Sequence, residues 1–170
     1  MRAIAASVRL IDRLNRMVGR IVALMILVLT LLIVAEVVLR YGFTAPTVWG
    51  TELSTFLFAT YVLLGGGFAL LNGDHVRMDV LYGRLPPRGR AALDVLTAPF
   101  ALLYCAILLV EGGAMVAEAI ATGRRHSTDW APLLWPWLLA LPVGAGLLAL
   151  QVLAHLVRDA VRAATGRDLA

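Results

Sequence analysis

Apolar residues dominate four stretches of the chain, 21–39, 51–71, 96–119 and 133–157, and polar residues gather between them. Each stretch has about 20 residues or slightly more, enough at 1.5 Å per residue to cross a hydrocarbon core about 30 Å thick. The pattern predicts an all-α membrane protein with four transmembrane helices in a single membrane domain over residues 1–170. Ahead of the first stretch, Ile4, Val8, Ile11, Leu14 and Val18 recur every three or four residues, and most of the arginines take other faces. This is an amphipathic N-terminal lead-in, and with only Gly19 to interrupt it the lead-in is expected to extend the first helix. Pro86 and Pro87 suit a first helical turn, so a helical extension outside the membrane is expected before the third span.

Local chemistry adds detail. Segment 40–52 mixes turn formers with aromatic side chains, and Thr47 is a candidate N-cap that would set Glu52 near the positive end of the second helix. Gly65, Gly66 and Gly67 fall inside the second stretch, where they lower helix propensity but let backbones approach closely, so a tight crossing is expected there. Trp130, Trp135 and Trp137 form an aromatic anchor for the fourth span, and Pro142 predicts a kink in it.

Charge orients these helices. All 15 basic residues are arginine. Twelve lie before the first span, between the second and third, or after the fourth, against three (Arg40, Arg124 and Arg125) in the other two loops. The positive-inside bias therefore predicts both termini and the middle loop in the cytoplasm, with 40–52 and 122–132 outside. The arginines lie in short segments between apolar runs and form no soluble basic domain, so no nucleic-acid partner is expected; membrane lipids are the expected contact.

Candidate chemistry is sparse. Cys105 stands alone inside the third stretch, so no disulfide can form within the chain. Glu111 lies near the middle of that stretch, where a carboxylate costs roughly 2.5–3.5 kcal/mol on insertion scales. It is a possible intramembrane polar site, displaced outward from the middle of the span: either a coupling carboxylate, or a group hydrogen-bonded at a helix interface or solvated from the outer side. One class of function consistent with the first option is a self-sufficient homodimeric exporter. Glu36 precedes Arg40 by one helical turn, and Glu52 begins the next helix at a similar depth, so a cluster of these three could form a clasp across the outer turn or contact a partner. His75, His126 and His155 are too scattered to ligate one haem or metal, and no phosphate loop, metalloprotease helix or nucleophile elbow occurs. Neither catalysis nor a cofactor is expected.

The ordered set Arg40-Tyr41, Trp49-x-x-Glu52-Leu53, Phe56-Leu57-Phe58, Gly65 and His75-Val76-Arg77-Met78-Asp79-Val80-Leu81 resembles the small permease (DctQ-type) subunit of tripartite ATP-independent periplasmic (TRAP) transporters. The Leu85-Pro86-Pro87 segment and the Trp-Pro pair at the start of the last span fit the same family. The resemblance implies a bacterial inner-membrane subunit that works with a large (DctM-type) membrane subunit and a periplasmic (DctP-type) substrate-binding protein. Together these would drive uptake of an organic acid with an ion gradient, generally sodium. It further implies that Arg40, Trp49 and Glu52 serve structure or partner contact at the outer face, where Glu36 joins them by its spacing from Arg40, and that His75, Arg77 and Asp79 do so at the inner face. Thr51 departs from the pattern, since many members carry a second acid there.

Overall fold

A computed structural model describes residues 2–73 and 86–165. Helix α1 runs Arg2–Val37 and passes into a single π-helical turn, Val38–Gly42; α2 is Gly50–Asn72, α3 Pro87–Thr122, α4 Trp135–Leu138 and α5 Ala140–Thr165. Four segments are long and apolar enough to cross a membrane: Ala5–Gly42, Gly50–Asn72, Gly89–Thr122 and Trp135–Thr165. The amphipathic lead-in is continuous with the first span, as expected from the lack of a strong breaker. With 36 residues each, α1 and α3 exceed the roughly 20 residues that a bilayer core requires, by about 24 Å of helix.

Helix ends follow the turn chemistry. Gly73 takes a left-handed conformation, φ 79°, and its N–H reaches back to the carbonyls of Ala69 and Leu70. Gly123, φ 61°, closes α3 in the same way. This conformation costs glycine nothing, and it satisfies carbonyls that would otherwise be left without partners. Pro86, with φ −64° and ψ 159°, leads into α3 with Pro87 in its first turn. In the last span the interruption lies at Leu139, between α4 and α5. Pro142 has no N–H for the carbonyl of Leu138 four residues back, so it sits in the first turn of α5 and the predicted kink becomes a helix break just before it.

Helix α5 is central: it packs on α3 along one side and on α2 along the other, while α1 packs on α2 and touches α5 to a lesser extent. The seams repeat every seven residues. On α1 the buried positions are Val8, Asn15, Val22, Leu29 and Glu36; on α3 they are Ala91, Ala98, Cys105, Gly112 and Ala119; on α5, Ala140, Leu147 and Ala154 share one row, with Gly144 and Gln151 beside it. A seven-residue period, slightly shorter than two ideal helical turns, is the pattern of helices wound left-handed around one another. Small residues dominate the α3 and α5 rows, which suits a lipid environment. There the association of helices depends on close van der Waals packing, since burying apolar surface gains nothing over lipid.

The triple glycine marks a close approach of helices. A Cβ at Gly67 would occupy the place of the Asn15 side-chain oxygen and press within 3.2 Å of the Leu147 backbone, whereas one at Gly66 would meet nothing within 4 Å. Three helices therefore converge on the missing side chain of Gly67. Gly67→Ala is expected to lower stability in detergent by about 1–3 kcal/mol, while Gly66→Ala leaves it nearly unchanged. Thermal unfolding midpoints of the two purified variants check the contrast.

Candidate functional site

The polar residues that the fold draws inward gather at the two ends of the α1 seam. At one end, Asn15 and Gln151 are both 0% exposed. The Asn15 amide donates to Gln151 Oε1 at 2.9 Å, and its contacts to the carbonyls of Leu147 and Ile11 are 3.4 Å each. Gln151 Nε2 in turn donates to Asp12 Oδ1 at 3.1 Å, and the other Asp12 oxygen accepts from Arg158. The network ties the start of α1 to α5 across the top of α2. An unmade hydrogen bond in such surroundings is costly, because no water is available to replace the partner.

At the other end, Glu36 occupies the same heptad row three repeats on and is 8% exposed. Arg40 Nη2 donates to Glu36 Oε1 at 2.5 Å and also reaches Thr51 Oγ1 at 3.3 Å. Glu36 Oε2 accepts from the Thr47 hydroxyl and, at 3.4 Å, from the Thr47 backbone N–H. The Thr47 oxygen accepts from the N–H of Gly50, the first residue of α2, at 3.0 Å. Thr47 thus supplies the capping hydroxyl anticipated for α2, although the residue that directly precedes the helix is Trp49. Glu36 therefore holds the turn between α1 and α2 closed from inside, and Thr51 offers Arg40 a hydroxyl where a second acid would have offered a carboxylate.

Glu52 does not join this cluster. It faces the loop between α3 and α4, where Thr128 donates to its Oε2 at 2.7 Å and the ring of His126 lies with Nδ1 2.6 Å from its Oε1. Phe56, one turn along α2, meets the His126 ring edge-on at 5.8 Å and stacks on Trp137 at 5.1 Å. A short bridge between Arg125 and Leu133 and the Arg125 guanidinium bound to the Ala131 carbonyl at 3.0 Å shape that loop. The expected three-member cluster thus resolves into two ties, one to the α1–α2 turn and one to the α3–α4 loop, both carried by the N-terminal end of α2.

The remaining expected positions separate. Trp49 is exposed, and its carbonyl accepts from Leu53 N–H at 2.8 Å. Glu111 lies on the exposed face of α3, outside the helix seams, with no ion pair or hydrogen bond among the described residues. His75, Arg77 and Asp79 lie outside the described residues. Among the described residues no three His, Cys, Asp or Glu side chains converge as a ligand set for a metal. Sequence reasoning missed Asn15, Gln151, Asp12 and Arg158 as a group. A signal for them existed: Gln151 is, with His155, one of two strongly polar side chains in the fourth apolar stretch, and Asn15 precedes Glu36 by three heptads.

The inner network yields a sharp test. Asn15→Leu and Gln151→Met, each nearly isosteric, should singly cost about 1–3 kcal/mol by stranding the partner amide. The double variant should recover most of that loss, since neither orphan remains. Thermal unfolding of the four proteins in one detergent measures the coupling.

Comparison with known proteins follows the same architecture. Residues 29–162 match the family described as tripartite ATP-independent periplasmic transporters, DctQ component. The chain is 37% identical over 84 residues to a Haemophilus influenzae protein described as a TRAP transporter small permease protein, covering 49% of this chain and 52% of that protein. It is 30% identical over 105 residues to the C4-dicarboxylate TRAP transporter small permease protein of Vibrio cholerae, covering 62% of this chain and 45% of that one. It is also 25% identical over 158 residues to the ectoine TRAP transporter small permease protein of Halomonas elongata, covering 92% and 78%. The chain spans about half the length of the first two of these relatives. With the match running from within α1 to near the end of α5, through all four apolar helices, the chain belongs to the DctQ-component family of tripartite ATP-independent periplasmic transporters.

Proposed function

We propose that this chain is the small membrane subunit that braces a large (DctM-type) membrane subunit while that partner moves an organic acid, delivered by a periplasmic (DctP-type) binding protein, into the cell on an ion gradient, with sodium as the coupling ion. Members of the family are transporter components, not enzymes. The observation that carries the bracing role is Glu111. A carboxylate exposed on the outside of a spanning helix, without a partner among the described residues, would face hydrocarbon at a cost of several kcal/mol. Contact with a hydrogen-bond donor on another membrane protein relieves that cost. The seams between the helices are meanwhile filled by small apolar residues, and their polar side chains are spent on holding helices together.

Both termini and the 74–85 loop face the cytoplasm in this proposal, supported by the twelve-to-three division of arginines. Glu36, Arg40, Trp49 and Glu52 then belong to the periplasmic side, within reach of a docking binding protein, and His75, Arg77 and Asp79 to the cytoplasmic side. Relatives named for C4-dicarboxylates support an organic acid as substrate, and one named for ectoine supports leaving substrate choice to the other components.

Reconstitution tests the proposal. Vesicles that hold the large subunit and this chain, with binding protein added outside, should take up substrate in response to a sodium gradient, and omission of this chain should abolish uptake. Glu111→Gln, which keeps a polar contact, should retain most of the uptake. Robust transport by this chain alone, lost with Glu111→Gln, would overturn the bracing role in favour of an autonomous exporter.

A further inference from the structure

Four arginines, Arg9, Arg13, Arg16 and Arg20, line one face of α1 at intervals of four, three and four residues, and together with Asp12, Met17 and Ile21 they bound an open recess of about 560 Å³. The acid among them offers little compensation, because its two oxygens are already engaged by Gln151 and Arg158. Arg13, Arg16 and Arg20 are exposed and make no ion pair among the described residues. This leaves a concentrated positive field at the edge of the first span.

Depth identifies what such a field would meet. The apolar run begins at residue 21, so at 1.5 Å per residue Arg20 sits at the hydrocarbon boundary, Arg16 about 7 Å beyond it and Arg13 about 12 Å beyond. The headgroup layer on each side of a bilayer is roughly 5–8 Å thick, so Arg16 and Arg20 lie within it and the longer reach of Arg13 spans its outer limit. A second depression, of about 320 Å³ and largely apolar, lies between α1 and α2 and is lined by Gly19, Val22, Tyr61, Gly65 and Phe68 among others. The two share one turn of α1: Arg20 and Ile21 line the first, and Gly19 and Val22 the second.

We propose that the recess binds the headgroup of an anionic phospholipid, with the phosphate held by the guanidinium forks of Arg13, Arg16 and Arg20 and an acyl chain running along the apolar groove between α1 and α2. Guanidinium groups match phosphate oxygens in pairs, which an ammonium cannot do. Basic pockets between spanning helices at this depth suit anionic headgroups. The site rests on α1 being a spanning helix whose arginine end lies at the inner leaflet, but binding itself needs neither the large subunit nor transport. Its failure is therefore distinguishable from failure of the bracing role.

Native mass spectrometry of the full chain in neutral detergent, titrated with phosphatidylglycerol or phosphatidylcholine, tests the site. Phosphatidylglycerol should be retained at least about tenfold more tightly, and Arg13→Gln/Arg16→Gln/Arg20→Gln should remove that preference, weakening retention on the order of a hundredfold. Arg124→Gln in the outer loop should leave it intact. The corresponding triple lysine variant, which keeps charge but loses the forks, should recover part of the binding, and it serves as the test should the glutamine variant not fold. Equal retention of the two lipids, unchanged binding by the glutamine variant, or displacement of phosphatidylglycerol by millimolar inorganic phosphate would overturn the proposal, the last by marking a site for soluble anions.

Discussion

Asn15 and Gln151 meet at 2.9 Å, fully buried, where three helices come together, and the placement of α1 in the bundle depends on that contact. Apolar surface alone cannot position a helix among lipid tails, because the tails are as apolar as the helix. A buried amide pair sets both depth and rotation, since sliding or turning α1 would leave two amides in a medium with nothing to bond to. Gly67 makes the arrangement feasible by leaving room for the Asn15 oxygen, and Leu147 adds a backbone acceptor from α5. The same heptad row ends in Glu36, so α1 is pinned at both ends of its seam by polar groups that tolerate one register.

From this pinning follows the character of the end of the bundle where α2 begins. Glu36 closes the turn into α2 through Thr47, and Glu52 gathers the α3–α4 loop through His126 and Thr128. Both loops at that end are thus tied to the first turns of α2, and α2 is tied to α1 and α5. A bundle fastened in this way resists internal rearrangement. That is the property the proposed bracing role calls for, and in that proposal the exposed carboxylate of Glu111 on α3 meets the large subunit.

Much of this was legible in the sequence because hydropathy and turn chemistry act locally. The four spans, the unbroken lead-in, the proline start of α3 and the close approach at the triple glycine all follow from residues adjacent in the chain. What was not legible depends on pairing across distance. Glu52 was expected beside Arg40, 12 residues away, but its partners His126 and Thr128 come from a loop brought near by α5 inserting between α2 and α3. Asn15 looked like one more polar position on an amphipathic helix, and only the placement of Gln151 opposite it shows its role. The depth of Glu111 was readable, but its direction was not, because a helix apolar on every side carries no periodic sign of which face meets lipid or partner.

The proposed bracing role requires that the bundle keep one internal arrangement during transport. Pulsed electron paramagnetic resonance tests it directly, with spin labels at Leu10→Cys on α1 and Ala160→Cys on α5 in a Cys105→Ala background. The complex with the large subunit would be measured in vesicles with and without substrate, binding protein and ion gradient. The account predicts the same distance distribution in every state. A second population that appears during turnover would contradict it, by showing that α1 and α5 part as substrate crosses.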